Sequence, residues 1–228
     1  MPLRRTVRVA VALAAAGAVA SAGAGCSASS SSSSAAASGA VYEPAGVPGA
    51  GLTTVVEGPK IVVGDAKAPH TATVYVDPRC SYCAKFEEGG AVPLAQAAAD
   101  GKVRIEYVVA SFLDARTGGT DSARAANAMR AAAEAGRFAE FQAALFAGGG
   151  AEDPLKVADR VEGLRGAEFD RAVREDAYHD WVVSAEKAFE DSGVGGTPTV
   201  VVDGQSVGVG DALYDQDAFA RVLRDAGL

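Results

Sequence analysis

The stretch "TATVYVDPRCSYC", residues 71–83, decides the fold, because a run rich in β-branched residues ends at two cysteines three positions apart. Such a run predicts a buried strand. The pattern after Cys83 is helical as far as Gly101, with Gly89, Gly90 and Pro93 expected to kink the helix, and residues 102–110 read as a second strand. Strand, helix and strand at this spacing predict a βαβ unit with Cys80 and Cys83 at the start of its helix.

The rest of the chain follows in two blocks. Residues 120–190 carry apolar side chains at helical spacing, which predicts several packed helices. From Thr197 the pattern returns to strands, "TPTVVVDG" and "QSVGVG", joined by a turn and followed by a last helix. Strands at both ends with helices between them indicate one α/β domain with an all-helical insertion between the βαβ half and the ββα half.

The N-terminal segment has the features of an export signal. Three arginines precede a short apolar run and then small residues, so residues 1–25 are predicted to be a signal peptide rather than a membrane span. Cys26 follows those small residues as the lipidated cysteine of a bacterial lipoprotein would, and the alternative is an ordinary secretory cleavage. Residues 26–58 are rich in Ser, Ala and Gly and read as a flexible tether, which leaves residues 59–228 for the folded domain.

Charge excludes one class of partner. The chain has a formal net charge of −8, and loss of the three signal-peptide arginines leaves 18 basic against 29 acidic residues, a net charge of −11. Nucleic-acid binding needs a basic patch, so no nucleic-acid partner is expected. Attachment to a membrane would have to come from lipid on Cys26.

Three uses of the cysteine pair can be compared. A zinc site requires more ligands than two cysteines, and the two histidines, His70 and His179, have no ligand spacing, so no metal is expected. A disulfide between positions three apart closes a very short loop and adds little stability. A redox pair is therefore the favoured interpretation, and an exported protein meets conditions in which disulfides form.

The predicted position of the pair gives the two thiols different roles. At a helix N-terminus the free backbone N–H groups and the helix dipole stabilise a thiolate, so Cys80 is expected to be the attacking thiol. Cys83, one turn further, is expected to be buried and to resolve the mixed disulfide. Arg79 and Tyr82 are candidates for tuning the pKa of Cys80, and the alternative for Arg79 is a solvated surface side chain.

These residues resemble the DsbA-like branch of the thioredoxin superfamily, which consists of exported thiol–disulfide oxidoreductases. The resemblance is carried by "VGDAKAPHTATVYVDPRCSYC", "GKVRIEYV", "ARAANAMRAAAEAGRFAEFQAALF" and "GVGGTPTVVVDG". It implies a thioredoxin fold with its helical insertion at about residues 118–190. It also implies a cis peptide bond between Thr197 and Pro198, facing the cysteines, whose neighbouring backbone binds the substrate strand. The dithiol is then the redox centre and no dissociable cofactor is implied.

The chain departs from the family pattern at two places. Val74 stands where many relatives have a buried acid that serves proton transfer at the resolving thiol, and water or Glu106 are candidates to replace it. Ser81 and Tyr82 stand where strongly oxidising relatives have Pro-His, so a less oxidising pair is expected. Tyr82 and Thr197 are similar to those of disulfide isomerase relatives.

The function implied is an extracytoplasmic thiol–disulfide oxidoreductase that exchanges its disulfide with exported, cysteine-containing proteins, in the direction of disulfide formation. A membrane redox partner would recycle the dithiol. The protein would be anchored to the outer face of the bacterial cell membrane, or secreted if Cys26 is not lipidated. The alternatives are a reductase or isomerase, including one in cytochrome c maturation, a non-enzymatic lipoprotein that holds clients, and copper handling by the two thiols.

Overall fold

The computed structural model describes residues 46–208 and 210–228. The predicted signal peptide, Cys26 and most of the predicted tether lie outside these residues. Within the described part, no helix is both long enough and apolar enough to cross a membrane.

The described residues form a mixed sheet of six strands in the order β1-β2-β4-β3-β5-β6. The central pair, β3 and β4, is parallel, and every other pairing is antiparallel. The strands are β1 (Thr54–Glu57), β2 (Lys60–Val63), β3 (His70–Val76), β4 (Val103–Val109), β5 (Thr199–Val202) and β6 (Gln205–Val207).

Helices connect and cover this sheet. They are α1 (Ser81–Glu88), α2 (Ala91–Ala99), α3 (Leu113–Thr117), α4 (Asp121–Glu134), α5 (Phe138–Ala147), α6 (Pro154–Ala158), α7 (Ala167–Arg174), α8 (His179–Ser192) and α9 (Gln216–Asp225), with a short 3-10 helix at Gly210–Tyr214 before α9. The segment from α3 to α8, called the insertion below, lies between β4 and β5. The predicted fold class, a thioredoxin fold with a helical insertion, is confirmed.

The alternation of side chains along β3 and β4 separates two layers of core. Val74 and Tyr107 are register partners on one face, where α1 and α2 pack with α9 beside them. Tyr75 and Val108 are partners on the other face, where the Phe189 ring of α8 covers them. Each strand is apolar on both faces because helices bury both sides of the sheet.

The helix after the cysteines is interrupted where the glycines predicted a kink. It ends at Glu88, and α2 begins at Ala91. A Cβ on Gly89 would lie 2.3 Å from the Tyr214 carbonyl oxygen, and one on Gly90 would lie 2.6 Å from the Leu213 carbonyl oxygen. The 3-10 helix therefore packs directly against backbone at this break, and only glycine leaves room for it.

The predicted start of the domain at residue 59 is wrong. β1 lies inside the predicted tether and pairs with β2 along its full length, from Thr54 to Glu57. β2 consequently pairs on both sides, with β1 and with β4. Further upstream, Val47 packs against Ala139 and Ala143 of α5. Isolated β1 is too short and half-exposed to show a strong strand pattern, and its pairing partner is what stabilises it.

Candidate active site

Cys80 and Cys83 lie where the strand–helix junction was predicted to place them. Cys80 is the N-cap residue of α1, and its carbonyl oxygen accepts the first helical hydrogen bonds, from the N–H groups of Cys83 and Ala84. Cys80 is partly exposed, whereas Cys83 is fully buried, and both are free thiols in this structure. The half-exposed sulfur is the one that a substrate can reach.

The surroundings of the two sulfurs shift their pKa values in opposite directions. A hydrogen bond from the Cys83 thiol lowers the pKa of Cys80 to about 5, assisted by Thr197 and the backbone N–H groups of Cys83 and Tyr82, against the effect of burial. Burial and the neighbouring Cys80 sulfur raise the pKa of Cys83 far above its ordinary value. Cys80 is therefore a thiolate at neutral pH while Cys83 retains its proton, the division of roles that an attacking and a resolving thiol require.

Thr197 and Pro198 face the cysteines across the end of the sheet. Their peptide bond is cis, and the Cys80 Sγ lies 3.3 Å from the Thr197 carbonyl oxygen. The Thr197 hydroxyl is buried and has no hydrogen-bond partner among the described residues. The Thr197 side chain is nevertheless one of the groups that lower the pKa of both thiols. Residues 117 positions apart in the chain thus form one site.

Arg79 was predicted either to tune the pKa of Cys80 or to be a solvated surface side chain, and the structure shows a third environment. Its guanidinium donates a hydrogen bond to the Thr117 hydroxyl at 2.8 Å, and lies 3.7 Å from Asp121 and 3.9 Å from Asp114. The hydrogen bonds that lower the Cys80 pKa come from other residues. The side chain is therefore neither a solvated surface group nor aimed at Cys80, but is bound to the insertion.

Tyr82 contributes to the site in two ways. Its backbone N–H is one of the groups that stabilise the Cys80 thiolate. Its ring is 53% exposed, packs against the Tyr214 ring with centroids 5.8 Å apart, and lies under the Lys85 ammonium. Burial raises the pKa of Tyr214, and the nearby Cys80 thiolate adds to the rise. Sequence reasoning missed Tyr214, because nothing local connects it to residues 80–83.

Glu106 does not take the place of an acid at position 74. It lies in register with Thr73, so its side chain is on the sheet face opposite Val74, where it pairs with Lys60 and Arg104. A buried carboxyl closer to the cysteines in the chain is Glu87, on α1 one turn after Cys83. Burial raises its pKa to about 7, and Gln142 donates to it at 2.9 Å.

Asp77 is a second buried acid that sequence reasoning missed. It follows β3 directly, is fully buried, and accepts hydrogen bonds from Arg79, Leu113 and Ser122. The signal available in the sequence was a carboxylate three residues before the first cysteine, next to a proline.

A low-pKa cysteine at the N-terminus of a helix, facing a cis-proline at the end of a mixed sheet, defines a thioredoxin-fold dithiol protein. The family model described as Thioredoxin matches residues 57–225. The chain belongs to the thioredoxin family. No curated protein sequence matches it.

Solved structures with the same fold include several thiol–disulfide oxidoreductases. The MdbA protein from Corynebacterium diphtheriae matches with a TM-score of 0.63 and 21% identity, over 80% of this chain and 96% of that one. MdbA from Corynebacterium matruchotii matches with a TM-score of 0.60 and 22% identity, over 69% of this chain and 87% of that one. DsbA from Mycobacterium tuberculosis, in its reduced form, matches with a TM-score of 0.57 and 20% identity, over 74% of this chain and 100% of that one. At these identities the likeness establishes the fold alone.

Proposed function

We propose that this protein is an extracytoplasmic thiol–disulfide oxidoreductase that forms disulfides in exported, cysteine-containing proteins. The observation that carries the proposal is the lowered pKa of Cys80, to about 5, beside a buried Cys83. A stabilised thiolate favours the reduced form of the pair, so the corresponding disulfide is a stronger oxidant. The structural neighbours described as thiol–disulfide oxidoreductases support the same activity.

The exchange would proceed in two steps. A substrate thiolate attacks Cys80 Sγ of the disulfide form, the Cys80–Cys83 bond breaks, and Cys83 leaves as a thiolate that takes up a proton. A second substrate thiolate then attacks the substrate sulfur of the mixed disulfide and releases the Cys80 thiolate. The substrate loses two electrons, which the protein disulfide gains, and backbone next to Thr197 and Pro198 would hold the substrate strand during both steps.

The reduction potential of the pair tests the direction of exchange. We would equilibrate the full-length protein in glutathione buffers and quantify the dithiol by alkylation and mass spectrometry. A value toward about −120 mV, the DsbA end of the range, supports the oxidase, and a value toward about −270 mV, the thioredoxin end, would replace it with a reductase or isomerase. Ser81 and Tyr82 between the cysteines are the feature that favours this second candidate, which includes a role in cytochrome c maturation.

A Cys80→Ser variant separates exchange from client holding. An oxidoreductase loses thiol exchange with this change and keeps its fold. If the variant still protects an unfolded client from aggregation as well as the wild type does, and the wild type exchanges no disulfides, the protein is a holdase instead.

The expected location follows from the N-terminal residues. Export by residues 1–25 and lipid on Cys26 would anchor the domain to the outer face of the cell membrane, where a membrane redox partner could reoxidise the dithiol. Expression with a Cys26→Ser change tests the anchor: the variant should leave the membrane fraction and appear in the medium or soluble fraction. An unchanged distribution would contradict lipidation.

A further inference from the structure

The active-site loop, residues 77–80, is held by the insertion and not only by the thioredoxin fold that contains it. Asp77 provides the main connection. Its Oδ1 accepts hydrogen bonds from the Arg79 N–H at 2.9 Å and the Ser122 hydroxyl at 2.8 Å, and its Oδ2 accepts from the Leu113 N–H at 3.1 Å. Arg79 belongs to the loop itself, whereas Leu113 and Ser122 lie in the first turns of α3 and α4. A single carboxylate therefore joins the loop to two helices of the insertion.

The backbone of the same residue contacts both cysteines. The Asp77 carbonyl oxygen accepts a hydrogen bond from the Cys80 N–H at 3.0 Å. A backbone hydrogen bond from Asp77 lowers the pKa of the Cys83 thiol, against the larger effect of burial. The Asp77 backbone is therefore bonded to the backbone of Cys80 and to the thiol of Cys83.

The two residues that follow are held from the same side. A Cβ on Gly150, which has a φ of +74°, would lie 1.7 Å from the Pro78 carbonyl oxygen, so the turn between α5 and α6 touches the loop backbone. The Arg79 guanidinium is bound to Thr117. Residues 77, 78 and 79 each contact the insertion, and Cys80 is the next residue in the chain.

Asp77 is ionised at neutral pH, as a carboxylate that accepts hydrogen bonds from both the loop and the insertion must be. Burial raises its pKa to about 6, helped by the charge of Asp114, while the donors from Arg79, Ser122 and Leu113 oppose the rise. The carboxylate is therefore ionised at neutral pH and able to accept all three bonds. A buried carboxylate with fewer donors would be costly, because a desolvated charge needs compensating hydrogen bonds.

We infer that Asp77 is a positioning residue through which the insertion holds Cys80 and Cys83 in their reactive geometry. The inference rests on the proposed function, since it assigns Asp77 a role in the thiol–disulfide exchange of this pair. Asp77 touches no reacting atom through its side chain. It acts by keeping the Cys83 and Tyr82 N–H groups directed at the Cys80 sulfur.

An Asp77→Asn variant tests the inference, because the amide has the same size but its NH2 group cannot accept a hydrogen bond. With the loop released, the Cys80 thiolate loses part of its stabilisation. We expect the Cys80 pKa, followed by thiolate absorbance at 240 nm, to rise by about one unit. The equilibrium with glutathione should shift about tenfold toward the disulfide form, which corresponds to about 30 mV. A Ser122→Ala variant, which removes one donor of three, should shift it about threefold in the same direction.

The control is Asp153→Asn, which changes an aspartate in the insertion whose side chain accepts a hydrogen bond from the Leu155 N–H and caps α6. It should leave the Cys80 pKa and the glutathione equilibrium at their wild-type values, so a shift in this variant as large as in Asp77→Asn would overturn the inference. A folded Asp77→Asn protein with wild-type values would also overturn it. Should Asp77→Asn fail to fold, Ser122→Ala decides, and an unchanged equilibrium in that variant counts against the inference. A wild-type protein that exchanges no disulfide with glutathione would instead refute the proposed function.

Discussion

At the scale of single residues, the Cys83 thiol, the Thr197 side chain and the backbone at the start of α1 lower the pKa of Cys80, whereas the Cys83 sulfur lies in an apolar core. A cysteine thiol is thus acidic at position 80, whereas the thiol at position 83 resists ionisation. Hydrogen bonding is the largest influence on the pKa of Cys80, and desolvation is the largest influence on the pKa of Cys83. The difference is large enough to be measured directly in the reduced protein.

The rate at which iodoacetamide alkylates Cys80 should follow its thiolate fraction. We expect a half-maximal rate near pH 5, the pKa of the bonded thiol. Thr197→Val keeps the shape of the side chain and removes the hydroxyl of a residue that lowers the Cys80 pKa, so it should move the midpoint upward by about one unit. A wild-type midpoint near the ordinary cysteine value, about 8.5, would contradict this account of the site.

Glu87 gives a prediction about stability. Its pKa is about 7 in the folded protein and 4.5 in the unfolded chain, because burial penalises the charge. Folding therefore favours the protonated acid: the full stability is present below about pH 4.5 and is lost as the pH rises through 7. Since one pKa unit corresponds to 1.36 kcal/mol, the loss between pH 4.5 and pH 8 should be on the order of 3 kcal/mol.

A Glu87→Gln variant should remove that contribution and leave a flatter pH dependence of the free energy of unfolding, measured by urea denaturation. Its amide also gives Gln142 Oε1, a buried atom without a partner in the described part of the chain, a donor to bond. Glu88→Gln, at the exposed neighbouring position, is the matched control and should keep the wild-type slope. If both variants changed the pH dependence of the free energy of unfolding equally, Glu87 would not be the source of that dependence.

At the scale of elements, the break between α1 and α2 is where the C-terminal 3-10 helix reaches the cysteine helix. Gly90 N–H donates to the Leu213 carbonyl oxygen at 3.2 Å, and the next residue of the 3-10 helix brings the Tyr214 ring against Tyr82. The contact is between two backbones, so neither side can yield by a rotamer change. The two glycines at positions 89 and 90 therefore position Tyr214 beside the active site.

A Gly89→Ala change should push the two backbones apart. We expect the free energy of unfolding to fall by about 1–3 kcal/mol, the usual cost of overpacking, since the new Cβ would lie 2.3 Å from the Tyr214 carbonyl oxygen. Gly195→Ala, where no described atom lies within 4 Å of the new Cβ, should change it by less than about 0.5 kcal/mol. Chemical denaturation of the two variants compares them, and similar costs would argue against the packing explanation.

At the scale of the whole molecule, the sheet extends further toward the N-terminus than composition indicated. β1 adds an edge strand next to β2, Leu52 and Val56 pack against the main core, and the Trp181 indole N–H donates to the Gly58 carbonyl oxygen at 2.9 Å. The last of these contacts links the turn of the β1–β2 hairpin to α8. The hairpin is thus part of the domain and not part of a tether.

A chain that begins at Pro59 should consequently be less stable than one that begins at Gly46. Removing β1 exposes the β2 edge and deletes its backbone hydrogen bonds, each worth about 1 kcal/mol net, so a loss of about 2 kcal/mol or more is expected. Thermal unfolding of the two truncated chains measures the difference. Equal stabilities would restore the domain boundary inferred from composition.

What the sequence determined by itself was local: the strand that ends at the cysteines, the helix that begins there, and the Thr197–Pro198 pair ahead of a β-branched strand. Periodicity and turn residues are properties of neighbouring positions, so they can be read without a structure. The tertiary structure alone decided which distant groups meet, among them Asp77 with Ser122, Arg79 with Thr117, Tyr82 with Tyr214, and β1 with β2. Those contacts depend on how the insertion and the C-terminal segment fold back on the active-site loop, and no local pattern specifies that arrangement.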